Sequence, residues 1–327
     1  MSQNSIAASS ETLNEAAVAN AWRQWGRIGV ATSGSPGSSD VMVDPESLIL
    51  GSLALAYRER RLADIAEEWL AENSDLVSIS RLRALRPMLT GTDTDRELSG
   101  LAARVRARTG SASWRAVVSK PHRIDVPEDR QKRESSRKAV RVGRWRSGAT
   151  TLLQLRLGLG LGVKPDVLAV LLGSAPEWLT TRELAELTGY SVPAVREALN
   201  DLTEAWWIES TGDRPAIFTA RPSKWRELLR IDAEEHLTWR RYYDAFAFLA
   251  KWNATWPSRG ATGTSGMDGY QAISRTRELW REHSSFFAAI NVTREPTAYG
   301  ARLSWDACAE LFRTLADWFD EKSSVPN

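Results

Sequence analysis

Residues 163–222 contain the pattern that decides the fold: VKPDVLAVLLGSAPEWLTTRELAELTGYSVPAVREALNDLTEAWWIESTGDRPAIFTARP. An apolar helix beginning near Lys164 is followed by two short segments with apolar residues at helical spacing. Thr180 and Glu183 fit a capping box, in which each side chain bonds the other residue's backbone N–H. Gly189 lies where a left-handed residue can end a helix. The pattern predicts two short helices joined by a tight turn.

The second short helix has an inner and an outer face. Ser191 is expected to cap it, and Pro193 falls in its first turn. Its apolar positions are expected to face inward: Val195, Ala198, Leu199 and Leu202. The remaining positions form the outer face: Pro193, Ala194, Arg196, Glu197, Asn200 and Asp201. Residues 208–210 and 216–219 predict the strands of a hairpin, with residues 211–215 at its tip.

This layout is that of a winged helix-turn-helix, and TTRELAELTGYSVPAVREALNDLTEAWWIES (180–210) resembles transcriptional regulators of the broad MarR/ArsR-like type. The resemblance implies that the outer face of the second helix enters the major groove of double-stranded DNA. The candidate DNA-binding residues are Arg182, Ser191, Arg196, Asn200 and Arg214. Arg196 is expected to bind guanine or a phosphate, and Asn200 to bind adenine. Arg214, at the wing tip, is expected to contact the DNA backbone or the minor groove.

Two departures from this family bear on DNA binding. Family members usually have a glycine after the second helix, and Trp206 stands in that place, so the turn into the wing is expected to differ. Residues 177–222 hold four arginines and eight acidic residues, a net charge of −4. Because DNA affinity depends on neutralising phosphates, this charge weakens the case for DNA and leaves protein docking open.

Residues 120–146 hold ten Lys and Arg against four Asp and Glu. Two interpretations stay open for this segment: a solvated linker, or an arm that contacts phosphates beside the winged helix.

The rest of the chain predicts a mainly α protein. We expect a mobile tail and a short helix over 11–30 within residues 1–40, a helical domain at 41–119 and a basic linker at 120–148. The winged helix-turn-helix domain would span 149–222, and a helical bundle would form the C-terminal domain at 223–327. Within that bundle, helical spacing continues over 225–256, 270–290 and 304–321.

Composition sets broad limits on the class of protein. Of 327 residues, 43% are hydrophobic and 26% are charged, as in ordinary globular proteins, and the formal net charge is only +2. Cys308 is the single cysteine, which fits a reducing cytosol. No apolar run approaches the ~20 residues of a membrane helix, and the first residues do not resemble a signal peptide. We therefore expect a cytoplasmic protein without a membrane partner.

The motifs of common enzymes are missing. The histidines at 122, 236 and 283 are far apart, and no Cys/His cluster has metal-ligand spacing. The sequence contains neither a phosphate loop nor the GxSxG and HExxH motifs. We expect no catalytic residues, no metal and no cofactor.

Two hypotheses for function follow. The first is a transcriptional regulator that binds double-stranded DNA, as a homodimer if it follows the usual use of such motifs. The second is a non-enzymatic interaction subunit that uses an acidic winged helix to dock a protein partner.

Overall fold

The structure is a computed structural model that describes residues 3–32, 40–90, 92–118, 147–212, 214–232, 235–255, 269–292, 295–296 and 301–321. Within these ranges the protein is mainly helical, with 14 α-helices and one small three-stranded antiparallel sheet. The prediction of a mainly α protein is confirmed. The basic segment 120–146 lies outside the described residues.

The N-terminal part contains five helices: α1 (Gln3–Arg27), α2 (Pro45–Ala54), α3 (Arg60–Asn73), α4 (Ile79–Leu85) and α5 (Asp93–Thr109). The Asp44 carboxylate accepts a hydrogen bond from the Ser47 N–H, as expected for a cap of α2. The expectation of a mobile tail before residue 11 is wrong for residues 3–10, because they form the first turns of α1 and Ile6 is fully buried there.

The central part contains helices and all three strands. In chain order these are α6 (Thr151–Leu159), α7 (Val163–Gly173), β1 (Leu179–Thr180), α8 (Thr181–Thr188), α9 (Val192–Glu204), β2 (Glu209–Ser210) and β3 (Ile217–Thr219). The sheet order is β1-β3-β2, and Phe218 of β3 lies between Leu179 and Ser210. The two hairpin strands agree with the prediction, whereas β1 was not predicted.

The C-terminal part contains five helices: α10 (Pro222–Leu229), α11 (Tyr242–Thr255), α12 (Gly269–Glu282), α13 (Ser284–Ala289) and α14 (Ala301–Phe319). The prediction of continuous helix over 225–256 is wrong. Helix α10 ends where Arg230 takes a left-handed φ of 52°, and the Ile231 N–H turns back to the Arg226 carbonyl. The turn was not predicted because the helical spacing of aromatic residues continues across it and no glycine lies there.

Helices from both ends of the chain share one hydrophobic core. Helix α1 packs along α14, and α11 packs on α2, where Phe246 lies so close to Gly51 that a Cβ there would be 2.5 Å from its ring. The sequence pattern placed these helices in three separate segments, 1–40, 41–119 and 223–327, and the structure packs them together. The proposed domain boundaries themselves remain predictions.

A second core belongs to the central part. It is formed by the apolar faces of α7, α8 and α9 with Phe218 of the sheet and Trp225 of α10. Trp239 closes this core from the C-terminal side, and its backbone N–H donates to the Gly173 carbonyl at 3.0 Å. The central helices therefore have their own apolar interior and lie against the larger helical core.

Candidate functional site

The start of α8 has the predicted capping box. The Glu183 N–H donates to Thr180 Oγ1 at 3.2 Å, and the Thr180 N–H donates to Glu183 Oε2 at 2.7 Å. Gly189 ends the helix with a left-handed φ of 76°. The capping box therefore marks the start of α8, and Gly189 makes the turn toward α9.

Helix α9 has the predicted inner and outer faces. Its predicted core positions are all buried: Val195, Ala198, Leu199 and Leu202. Arg196 and Asn200 lie one turn apart and are exposed. Ser191 occupies the cap position, but its side chain makes none of the expected capping hydrogen bonds to the described residues and is exposed. The predicted cap bond of Ser191 is therefore wrong.

The other two candidate residues lie on different elements. Arg182 is on the outer side of α8, where it pairs with Glu186 at 3.4 Å and stays 85% exposed. Arg214 is exposed in the connection between β2 and β3. The structure thus brings Arg196 and Asn200 together on one helix face and presents Arg182 and Arg214 from α8 and the hairpin.

The outer surface of α8 and α9 is acidic. Its exposed charged residues are Arg182, Arg196, Glu183, Glu186, Glu197, Asp201 and Glu204. These side chains sum to a net charge of −3. Helical spacing puts Glu197, Asn200 and Glu204 at the middle of the exposed face of α9 and Arg196 on its flank. The face that would meet DNA is therefore not basic.

Two further basic side chains near this surface form ion pairs with carboxylates. Lys164 lies 2.7 Å from Asp201, and Arg221 lies 2.5 Å from Glu209. The first pair offsets one carboxylate of the α9 face, and the second lies at the base of the hairpin. The side chains of Lys164 and Arg221 are each at least half exposed, so a polyanion could compete with the carboxylates for either cation.

The turn after α9 keeps a left-handed conformation without glycine. Trp206 has a φ of 61°, its N–H donates to the Thr203 carbonyl, and the Trp207 N–H donates to the Leu202 carbonyl. These two bonds are those of a Schellman motif, which usually has glycine at this position. Trp206, which is 86% exposed, thus adopts the left-handed turn that glycine usually provides, and the expectation that it would change this turn is wrong.

A buried ionic cluster that the sequence patterns did not predict adjoins the central helices. Its members are Asp44 and Glu46 of the α2 start, Arg81 of α4, Arg156 of α6 and Asp166 of α7, all at most 3% exposed. Arg81 Nη1 and Nη2 donate to the two oxygens of Asp44 at 2.5 and 2.6 Å. Arg156 binds Asp166 and Glu46 with four hydrogen bonds of 2.8 Å each.

The carboxylates of the cluster lie at the ends of helices. All three carboxylates lie at the N-terminal ends of helices α2 and α7, where the helix dipole favours negative charge. Burial opposes ionisation of Asp44, but Arg81 outweighs it and holds the pKa of Asp44 below its ordinary value. One signal in the sequence was available, since Arg156 lies between leucines of a mostly apolar run.

The turn between α8 and α9 is attached to this cluster. Arg81 Nε donates to the Thr188 carbonyl at 2.7 Å, and the Tyr190 hydroxyl donates to Asp166 Oδ2 at 3.0 Å. Burial and the nearby Asp166 carboxylate raise the pKa of Tyr190, so the hydroxyl keeps its proton. The same hydroxyl lies 3.1 Å from Ser78 Oγ, at the start of α4.

A shallow cavity of about 390 Å³ lies beside Ser78. Its described lining is rich in serine and contains Asp75 as its one ionisable residue.

No group of three or more His, Cys, Asp or Glu that could hold a metal ion occurs among the described residues. Within the same ranges, no helix is both long and apolar enough to cross a membrane.

Comparisons with protein family models, with curated proteins and with solved structures found no match to this chain.

Proposed function

We propose that residues 163–222 form a winged helix-turn-helix and that the protein is a transcriptional regulator that binds double-stranded DNA. The order α7–β1–α8–α9–β2–β3 and the sheet order β1-β3-β2 support this fold. The single observation that carries the proposal is the exposure of Arg196 and Asn200 on α9, the second helix of a capped helix–turn–helix. An exposed Arg and Asn on such a helix match the base-contacting side chains of this class.

The proposed contacts divide by type. Arg196 and Asn200 contact base edges in the major groove, or Arg196 holds a phosphate. Ser191 and Arg182 contact phosphates on either side of α9, since hydroxyl and guanidinium groups commonly do so. Arg214 reaches the adjacent backbone or minor groove from the hairpin. Two copies on a two-fold operator would add the binding free energy of two half-sites.

The test is selection of bound sequences from a random pool of double-stranded DNA, followed by fluorescence anisotropy on the selected site. Arg196→Ala with Asn200→Ala is expected to abolish preference for that site and to leave the thermal unfolding temperature unchanged. Arg106→Ala, an exposed arginine of α5, is the matched control and is expected to bind as the wild type does. Failure to enrich any sequence, or full binding by the double variant, argues against DNA recognition.

A second function, docking of a protein partner, is favoured by the acidic middle of the α9 face. Glu197 and Glu204 would face a basic surface of the partner, and charged groups of one sign commonly meet the opposite sign across an interface. The test is purification of the tagged protein from its native cell after nuclease treatment. A stoichiometric partner that is lost on Glu197→Lys with Glu204→Lys, but kept on Arg196→Ala with Asn200→Ala, supports docking over DNA binding.

A further inference from the structure

Three consecutive residues of the α8–α9 turn contact α4 or the buried ionic cluster. The Thr188 carbonyl accepts from Arg81 Nε, and the Tyr190 hydroxyl donates to Asp166. Gly189 lies against Leu85 of α4, where a Cβ would be 2.6 Å from Leu85 Cδ2. The turn therefore has little freedom to move against the N-terminal helices.

The contacts of the turn reach groups that are themselves held in place. Asp166 is bound by two nitrogens of Arg156, and Ser78 accepts a hydrogen bond from the Arg81 N–H at the start of α4. Glu46, which binds both arginines, also accepts from the Ser78 N–H at 2.6 Å. A shift of the Tyr190 hydroxyl would thus disturb charged groups that have no access to water.

Helix α9 begins at Val192, two residues after Tyr190. Its exposed Ser191 makes no side-chain cap bond to α9 within the described residues, whereas Tyr190 ties this end of the helix to the protein body by hydrogen bonds. The C-terminal end of α9 leads instead into an exposed turn at Trp206. The apolar face of α9 is held by the central core along its length, and its N-terminal end has in addition the hydrogen bonds of Tyr190.

We propose that Tyr190 is a positioning residue: its hydrogen bonds to Asp166 and Ser78 fix the direction of α9 relative to helices α2, α4 and α6. The inference rests on the proposed function only where it concerns DNA, because α9 is then the reading helix and its direction determines affinity. The N-terminal helices and the DNA-reading surface are accordingly one mechanical unit, and the Tyr190 hydroxyl joins them together with the Arg81–Thr188 hydrogen bond and the Gly189–Leu85 contact.

The direction of α9 is measured without DNA. Spin labels at Ala107→Cys on α5 and Glu197→Cys on α9, in a Cys308→Ala background, report the distance between the N-terminal helices and α9. Both labelled positions are exposed. Tyr190→Phe is expected to broaden this distance distribution. Tyr57→Phe, which also removes a phenol hydrogen bond, here to Asn14, is the matched control and is expected to leave the distribution unchanged.

DNA affinity for the selected site provides the second measurement. Tyr190→Phe is expected to weaken binding about tenfold, a change of the size that follows from losing one hydrogen bond to a charged group. Tyr57→Phe is expected to bind as the wild type does at equal thermal stability. An unchanged distance distribution in Tyr190→Phe overturns the positioning role, whereas a wild type that binds no DNA overturns the proposed function and leaves the distance result standing.

Native-state hydrogen exchange supplies a test that needs no variant. Elements joined by buried contacts open together, so the peptides 79–85 and 188–199 of the wild type are expected to become exposed with the same dependence on urea. Opening of 188–199 while 79–85 stays protected would overturn the proposal.

Discussion

Arg156 and Asp166 meet in the protein interior through two parallel N–H···O hydrogen bonds of 2.8 Å, with neither side chain exposed to solvent. Arg156 also holds Glu46, so a single guanidinium is hydrogen-bonded to carboxylates from two helices. Such a pair adds little stability over an apolar replacement of all its members, but removal of one partner leaves an uncompensated buried charge.

Arg156→Met is therefore expected to lower the free energy of unfolding by about 3–5 kcal/mol. The measurement is urea denaturation followed by circular dichroism. Arg182→Met removes an arginine whose side chain is 85% exposed in its ion pair with Glu186. This substitution is expected to lower the free energy of unfolding by at most about 0.5 kcal/mol. Equal effects of the two substitutions would show that the cluster does not depend on Arg156.

Trp206→Gly is expected to stabilise the protein by about 1 kcal/mol, because glycine adopts a left-handed φ without steric cost. Little burial is lost, since Trp206 is 86% exposed. Ala205→Gly, one residue earlier at an ordinary φ of −75°, is the control and is expected to destabilise. Thermal denaturation distinguishes them, and a lower unfolding temperature for Trp206→Gly would mean that its side chain has a stabilising contact.

Gly189→Ala and Gly212→Ala separate backbone strain from packing. Both glycines have a left-handed φ, 76° and 73°, but a Cβ at Gly212 meets nothing within 4 Å whereas one at Gly189 meets Leu85. Gly212→Ala is expected to cost about 1 kcal/mol and Gly189→Ala clearly more. Urea denaturation measures both. Equal costs would indicate that Leu85 moves aside freely.

Acid is expected to destabilise the protein below about pH 4, the ordinary pKa range of carboxyl groups. Burial opposes ionisation of Glu321, but its hydrogen bond and charge interaction with Arg27 hold the pKa of Glu321 below the ordinary value. Arg81 does the same for Asp44. Carboxyl groups with a lowered pKa stabilise the fold above their unfolded-state pKa and lose that contribution as the pH falls through the folded-state pKa.

The measurement is urea denaturation across this pH range, with Glu321→Gln as the comparison. The variant is expected to be less stable at neutral pH and to lose less stability on acidification. An identical pH profile in the two proteins would exclude Glu321 as a source of the acid sensitivity.

Binding to the selected DNA site is expected to depend weakly on salt. Phosphate contacts by Arg182, Arg196 and Arg214 predict, for each bound copy, a slope of about −3 for the logarithm of the association constant against the logarithm of salt concentration. Arg214→Ala is expected to reduce its magnitude by about 1. Anisotropy titrations at several salt concentrations measure the slope. A much steeper slope would show that further cations, such as those of residues 120–146, contact phosphates.

Local signals allowed part of this structure to be predicted. The capping box at Thr180, the left-handed Gly189 and the apolar spacing of α9 depend only on neighbouring residues, and they were predicted correctly. The two-residue strand β1 escaped prediction because it exists only through pairing with β3, nearly 40 residues later. The ionic cluster escaped because its members come from four separate segments between residues 44 and 166.

Packing against a distant part of the chain explains why the first turns of α1 were not predicted. Its first turns carry few apolar residues, and the helix is held by α14 through contacts such as Asn20 Nδ2 to the Phe319 carbonyl at 2.7 Å. A sequence window around residue 10 contains no information about residue 319. The fold of the central helices was therefore more predictable than that of the two ends, and the charges of the candidate DNA-binding surface followed directly from the sequence.

The pairing of α1 with α14 has a consequence for synthesis of the chain. A ribosome releases the apolar side of α1 about 300 residues before it completes the helix that covers it, as the separation of Asn20 and Phe319 by 299 positions shows. During that interval the emerging polypeptide exposes an uncovered apolar strip, which favours binding by a chaperone. Closure of the large core thus comes late in the appearance of the chain, after the central helices have emerged.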